Sequence, residues 1–235
     1  KDLQNRLNES NFPWISANIN LKTEKGLTSF YKERNGQKQP IGKTFVKEFS
    51  DEDGTTIKVG FVSVCIPSNP KDFVVYDDMY EKISSSYESI KDHVDVVFGL
   101  THATLENDIR IAKLLPNIPL IMGGHEHAHR NNLVGNVQIS KADANAKTVY
   151  IHKITHDKHT GKTSVSSELK EINSSIKIHK KVGSIVKKWQ TILVSKIKNV
   201  IRQPNEVIFD AKTPLDGRDT SIRSMQTNLG QVITK

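Results

Sequence analysis

The chain has 235 residues, 36% of them apolar and 26% charged, enough for one substantial core with a tail to spare. No apolar run approaches the ~20 residues that span a bilayer, so no transmembrane segment is expected. The net charge is +8, and a single cysteine excludes an internal disulfide framework while leaving the redox compartment open.

Leu3 to Asn8 reads as a short helix end with Leu3 and Leu7 on one face. Phe12 to Ile19 reads as a strand entered through Pro13, and Lys22 to Gln39 as a surface excursion. Thr44 to Phe49 and Thr56 to Val64 flank Asp51-Glu52-Asp53-Gly54, a hairpin signal of the Asp-Gly type. Cys65 lies in the apolar run Val59 to Ile66 and is expected to be a small core residue. After a loop from Ile66 to Asp78, Met79, Ile83, Tyr87 and Ile90 form the stripe of a helix over Met79 to His93. His93 is read as its basic end, not as a ligand.

The next stretch carries the chemistry. Val94 to Leu100 is short and β-branched-rich and leads to His102, the pattern of a buried strand with a polar residue at its carboxyl end. Thr104 to Leu115 has Leu105, Ile109, Ala112 and Leu115 at helical spacing, with Thr104 as N-cap. Glu106-Asn107-Asp108 then puts acid in the first turn, where the helix dipole favours it. Ile118 to Met122 is a second buried strand, followed by Gly123-Gly124-His125-Glu126-His127. Neighbouring parallel strands would thus present histidines where open α/β sheets bind ligands. Neutral imidazole is the commonest metal ligand, so His102, His125 and His127 are candidate metal ligands. The alternative is a surface histidine loop whose glycines serve only the turn. His129 continues the alternation and is expected in solvent.

Leu133 to Ser140, Thr148 to His156 and Thr163 to Ile172 read as antiparallel strands, the last two joined by the turn His156 to Gly161. Between them, Asp143 and Asn145 alternate with small alanines. They are read either as a turn, since Asp and Asn bond readily to nearby backbone, or as polar support beside the histidines. Ser174 to Ile201 is one long amphipathic helix, ended by Pro204. From Ile172 to Asn205 the chain has Lys177, Lys180, Lys181, Lys187, Lys188, Lys196, Lys198 and Arg202 but no acid, a basic stretch able to meet an anionic partner. With Trp189 as its only aromatic residue, it reads first as a solvated helix face.

Gly99-Leu100-Thr101-His102 and Gly123-Gly124-His125-Glu126-His127 resemble the last two metal motifs of the calcineurin-like metallophosphoesterases, in their 5′-nucleotidase branch. Asn11 to Ile19, Lys141 to Ala146, Leu215-Asp216-Gly217-Arg218, Arg223 and Thr227-Asn228-Leu229-Gly230 are similar to that branch too. The resemblance implies an α/β fold. Residues 1–172 would be the C-terminal part of an αββα sandwich, 173–203 the long helix, and 204–235 a linker and the start of a C-terminal domain.

It further implies two divalent metal ions (zinc, manganese, iron or similar) and a nucleotide or other phosphoester substrate attacked in line by a metal-bound water. His102 and His125 would bind one metal and His127 the other; Asp143 and Asn145 would stand behind them. No catalytic residue is assigned in this chain. The family's Asp-x-His, Gly-Asp-x-x-Asp and Gly-Asn-His-Glu motifs are not found in their expected order. Asp157-Lys158-His159 has the letters of the first but falls on a hairpin tip. Two expectations follow: a 5′-nucleotidase-like hydrolase whose remaining motifs lie upstream, or a catalytically incomplete member acting as a binding or structural subunit. The resemblance is compatible with a periplasmic or extracellular setting, which the sequence leaves open.

Overall fold

The computed structural model describes residues 2–68, 70–201, 203–207 and 210–234; Arg202 of the basic stretch lies outside them. The chain begins with α1 (Asp2–Glu9), β1 (Ile19–Thr23), β2 (Gly26–Thr28), β3 (Tyr31–Arg34), β4 (Gln37–Pro40), β5 (Thr44–Ser50) and β6 (Thr56–Cys65). It continues through β7 (Val74–Tyr76), α2 (Met79–Ile90), β8 (Val96–His102), α3 (Leu105–Leu114), β9 (Leu120–Gly123), β10 (Arg130–Val134) and β11 (Val137–Lys141). Last come β12 (Thr148–Asp157), β13 (Lys162–Glu171), α4 (Lys180–Val200), α5 (Asp219–Ser224) and α6 (Asn228–Ile233).

Six strands make the principal sheet, in the order β10-β11-β9-β8-β6-β5. β6, β8, β9 and β11 are parallel, and β5 and β10 close the edges antiparallel. The period of two in each strand sorts side chains between the faces. Val97 and Ile121 face one way, with Val62, Val64, Val137 and Ile139, and meet Ile83 and Ile90 of α2 and Ile111 and Ala112 of α3. Val96, Phe98 and Leu120 face the other way, with Val59, and Val165 of β13 packs there. Each fully buried aliphatic side chain contributes roughly 1.5–3 kcal/mol. Because β6, β8, β9 and β11 are parallel, all four bring their carboxyl ends to one edge, and α2 and α3 cover the same face of the sheet. This is the α/β architecture expected.

The N-terminal part departs from the sequence reading. The Phe12-to-Ile19 stretch is irregular chain with bends and one isolated bridge, Ile15 to Gly42, and β1 starts only at Ile19. Asn18 explains the difference, because its side chain bonds both the carbonyl and the N–H of Cys65, taking the place of a backbone ladder. The Lys22-to-Gln39 excursion is mostly exposed but carries paired strands, β1 with β2 and β3 with β4. The single strand expected over Leu133 to Ser140 is a hairpin, in which Gly135, at φ +59°, and Asn136 turn between β10 and β11. Cys65 is half-buried at the end of β6, and burial pushes its thiol pKa up.

By internal packing the chain divides into two compact units, residues 1–175 and 176–235. In the second, α4 starts at Lys180 rather than Ser174 and buries none of its residues. No described helix is long and apolar enough to cross a membrane.

Candidate metal centre

β8 and β9 pair in parallel with Thr101 opposite Gly123, so His102 and the Gly124-to-His127 loop leave the sheet side by side. The Gly124 N–H donates to the Thr101 carbonyl at 3.0 Å, extending the pairing one residue past β9. A side chain at Gly124 would stand 3.2 Å from His102 Nδ1, so glycine leaves room for the ring. Beyond it the loop takes left-handed backbone angles at two non-glycine residues, His125 (φ 92°) and His127 (φ 58°). Such angles are uncommon outside glycine and persist only where surrounding contacts impose them.

The rings of His102 and His125 meet edge to face, 5.3 Å between centroids. His102 has its pKa lowered, first by burial, then by the positive charges that His125, Lys141 and His127 can carry, so its imidazole is held in the neutral form that ligates metals. His125 is half-buried, while His127 is exposed. His129 is exposed, as expected, and its Nδ1 lies 3.3 Å from Asp143 Oδ2. His93, in a short 3₁₀ turn after α2, is exposed and distant in sequence from this loop.

Asp143 is tied to the histidine loop rather than to an imidazole of the candidate set. It accepts the His129 N–H at 3.0 Å and the Thr148 hydroxyl at 2.7 Å, while the neighbouring Ala144 N–H donates to the His127 carbonyl at 3.4 Å. The Thr148 bond above all, with help from His129, holds the Asp143 carboxyl below its ordinary pKa. Asn145 is exposed, in a left-handed turn at φ 61°. On the far hairpin, Asp157 accepts from the N–H groups of His159 and Thr160 and does no more than shape the turn.

The largest departure is a buried charge cluster under the loop. Lys141, 1% exposed, places Nζ 2.7 Å from Asp108 Oδ2 and 2.6 Å from Glu126 Oε2. Asp108, read from the sequence as acid in the first turn of α3, is fully buried, and burial pushes its carboxyl pKa up against the pull of Lys141. Burial also pushes Glu126 up, but the Lys141 ammonium and the Leu105 N–H together outweigh it and hold Glu126 below its ordinary value. The sequence puts two of these residues on apolar faces but does not show that they meet. Val137, Ile139 and Lys141 alternate onto one strand face, and Asp108 sits on the α3 stripe beside Ile111 and Ala112.

Neutral imidazoles on rigid strand ends suit a divalent ion. Among the described residues, however, no three His, Cys, Asp or Glu side chains gather closely enough to hold one. What this structure presents is therefore a convergent pair, His102 and His125, to which further donors would have to be added.

No family model matches the chain. In sequence it is 25% identical over 238 residues to the trifunctional nucleotide phosphoesterase protein YfkN of Bacillus subtilis, covering 94% of this chain but only 16% of that protein. In structure it is similar to the crystal structure of the calcineurin-like phosphoesterase YfkN from Bacillus subtilis. That match has a TM-score of 0.63 at 15% identity and covers 80% of this chain and 65% of that one. A putative 5′-nucleotidase from Staphylococcus aureus, solved with alpha-ketoglutarate, gives a TM-score of 0.57 at 16% identity, over 80% of this chain and 39% of that one. The structural likenesses establish the fold, and the sequence match runs through the histidine segments. The chain has the fold of the calcineurin-like phosphoesterases and spans only a small part of the length of the relative it matches in sequence.

Proposed function

We propose that the protein carrying this chain is a metal-dependent phosphoester hydrolase acting on nucleotide 5′-phosphates or related phosphomonoesters, with His102, His125 and His127 among its metal ligands. The observation that carries this reading is the pairing of His102 and His125 at the ends of adjacent parallel strands, in a fold whose relatives are named as phosphoesterases. Divalent ions such as zinc, manganese or iron, when bound, supply Lewis-acid stabilisation of phosphoryl charge and lower the pKa of a bound water. The chain's own part is to present the imidazoles: partial burial favours the neutral form of His102, and a loop anchored by Gly124 and Asp143 carries His125 and His127. Asp143 acts as a support of that loop, and Asn145, exposed beside it, is given no role.

The test is phosphate release from nucleoside 5′-monophosphates and p-nitrophenyl phosphate, with manganese or zinc, by the longest natural protein that carries these residues. Losing a supporting residue typically costs up to about a hundredfold, so His125→Ala, which removes a ligand, should cost at least that. The chain by itself, bringing a convergent pair, should show negligible turnover. Metal-dependent hydrolysis untouched by His125→Ala would overturn the assignment.

A further inference from the structure

Lys141 is the largest fully buried side chain among the described residues, and its position at the end of β11 has a consequence for the histidines. Its ammonium donates to the Ala103 carbonyl, to the Gly124 carbonyl at 2.9 Å and to Glu126 Oε2, and it sits against Asp108 Oδ2. Each partner has a place in the chain that matters. Ala103 directly follows His102, Gly124 directly precedes His125, and Glu126 stands between His125 and His127. One cation therefore grips both backbone segments that carry the candidate ligands, and the side chain between the two loop histidines.

We propose that Lys141 is a positioning residue, which with Asp108 and Glu126 fixes the strand ends and the histidine loop so that His102 and His125 are paired before any ion arrives. Two features make a cation necessary there. The Ala103 and Gly124 carbonyls turn inward at the ends of their strands and need a donor away from water. The left-handed angles at His125 and His127 need an outside hold, because those residues do not favour them on their own. Glu126 extends the grip. Its Oε1 accepts the Leu105 N–H at the start of α3, so the loop is fastened to that helix as well as to β11. Asp108 balances the ammonium from the helix side. Gly123 completes the arrangement, since a side chain there would stand 2.9 Å from both Asp108 Oδ2 and Lys141 Cε. Ligands set in place beforehand bind an ion without first being ordered. The functional value of this clamp rests on the metal reading above, but the clamp itself is testable without an ion.

The experiment is amide hydrogen exchange on the metal-free full chain, followed by zinc titration. Lys141→Met is combined with Asp108→Asn, so that no lone carboxylate is left buried, and Glu126→Gln is a second, milder variant. The amides to watch are Gly124, bonded to Thr101, and Leu105, bonded to Glu126. Both should exchange about tenfold faster or more in each variant, while Val97 and Ile121 in the sheet core keep their protection. The contact between the His102 and His125 rings should be lost from the nuclear Overhauser spectrum. Zinc affinity should fall by about tenfold or more. Unchanged exchange at Gly124 and Leu105, or an equal loss across the whole sheet, would overturn the proposal. If the double variant does not fold, Glu126→Gln decides on the same two amides. If zinc binds wild type and His125→Ala alike, the metal reading fails, and the exchange data still decide the clamp.

Discussion

Gly123 and Gly124 are adjacent residues of one type that answer to different neighbours. Behind Gly123 lie the buried Asp108 carboxylate and the Lys141 stem, neither free to move. Gly123→Ala should therefore cost about 1–3 kcal/mol by overpacking, read as a lowered urea midpoint. Gly124 faces the His102 ring at 3.2 Å, and His102 is exposed enough to swing away. Gly124→Ala should leave stability within about 0.5 kcal/mol, as for ordinary surface changes, while shifting the His102 ring resonances. Equal destabilisation by both would show that the His102 ring is as fixed as the buried pair.

Asp143 makes the stability of the histidine loop depend on pH. Its folded carboxyl titrates below 3.8, with the Thr148 hydroxyl as the first cause and the His129 N–H behind it. A depressed carboxylate contributes stability that is fully present above the unfolded pKa and is lost as pH falls through the folded one. The stability difference between wild type and Asp143→Asn should thus be flat at neutral pH and shrink only below 3.8. A difference that vanished already near neutrality would mean that Thr148 and His129 do not hold the carboxylate as described.

Among the elements, α3 does two jobs. Its stripe of Ile111 and Ala112 covers the sheet, and its N-terminus is held by Thr104 and by Glu126 from the histidine loop. Thr104 accepts the Asn107 N–H at 3.2 Å. Thr104→Ala should cost about 1 kcal/mol. In a domain of this size that is about 2–4 °C in melting temperature, with Glu126 still satisfying the Leu105 N–H. A loss several times larger would mean that the cap also holds the loop. The sequence made the cap legible, since Thr104 directly precedes an apolar stripe of helical period. It did not make Glu126 legible, because no local pattern says that a residue 21 positions on returns to the same helix end.

Across the whole molecule, the sequence by itself determined the alternation of strand and helix through 94–127, the Asp-Gly hairpin between β5 and β6, the exposed turn at Asp157 and the amphipathic character of α4. Each rests on a local rule: a period of two or 3.6, a turn residue, or a cap. It also brought His102, His125 and His127 to attention, since strand ends are local features. Tertiary structure alone decided three other matters. Asn18 replaces a strand ladder because its side chain reaches Cys65, far along the chain. The rings of His102 and His125 meet because β8 and β9 pair with Thr101 opposite Gly123, and strand register is a property of the sheet. Lys141, Asp108 and Glu126 form a cluster because β11, α3 and the histidine loop converge on one point. A charged residue in a sequence is read as solvated by default, since removing an ion from water is costly unless partners surround it. Only the fold brings those partners together, and so only the fold turns Lys141 from a surface lysine into the group that holds the histidine loop.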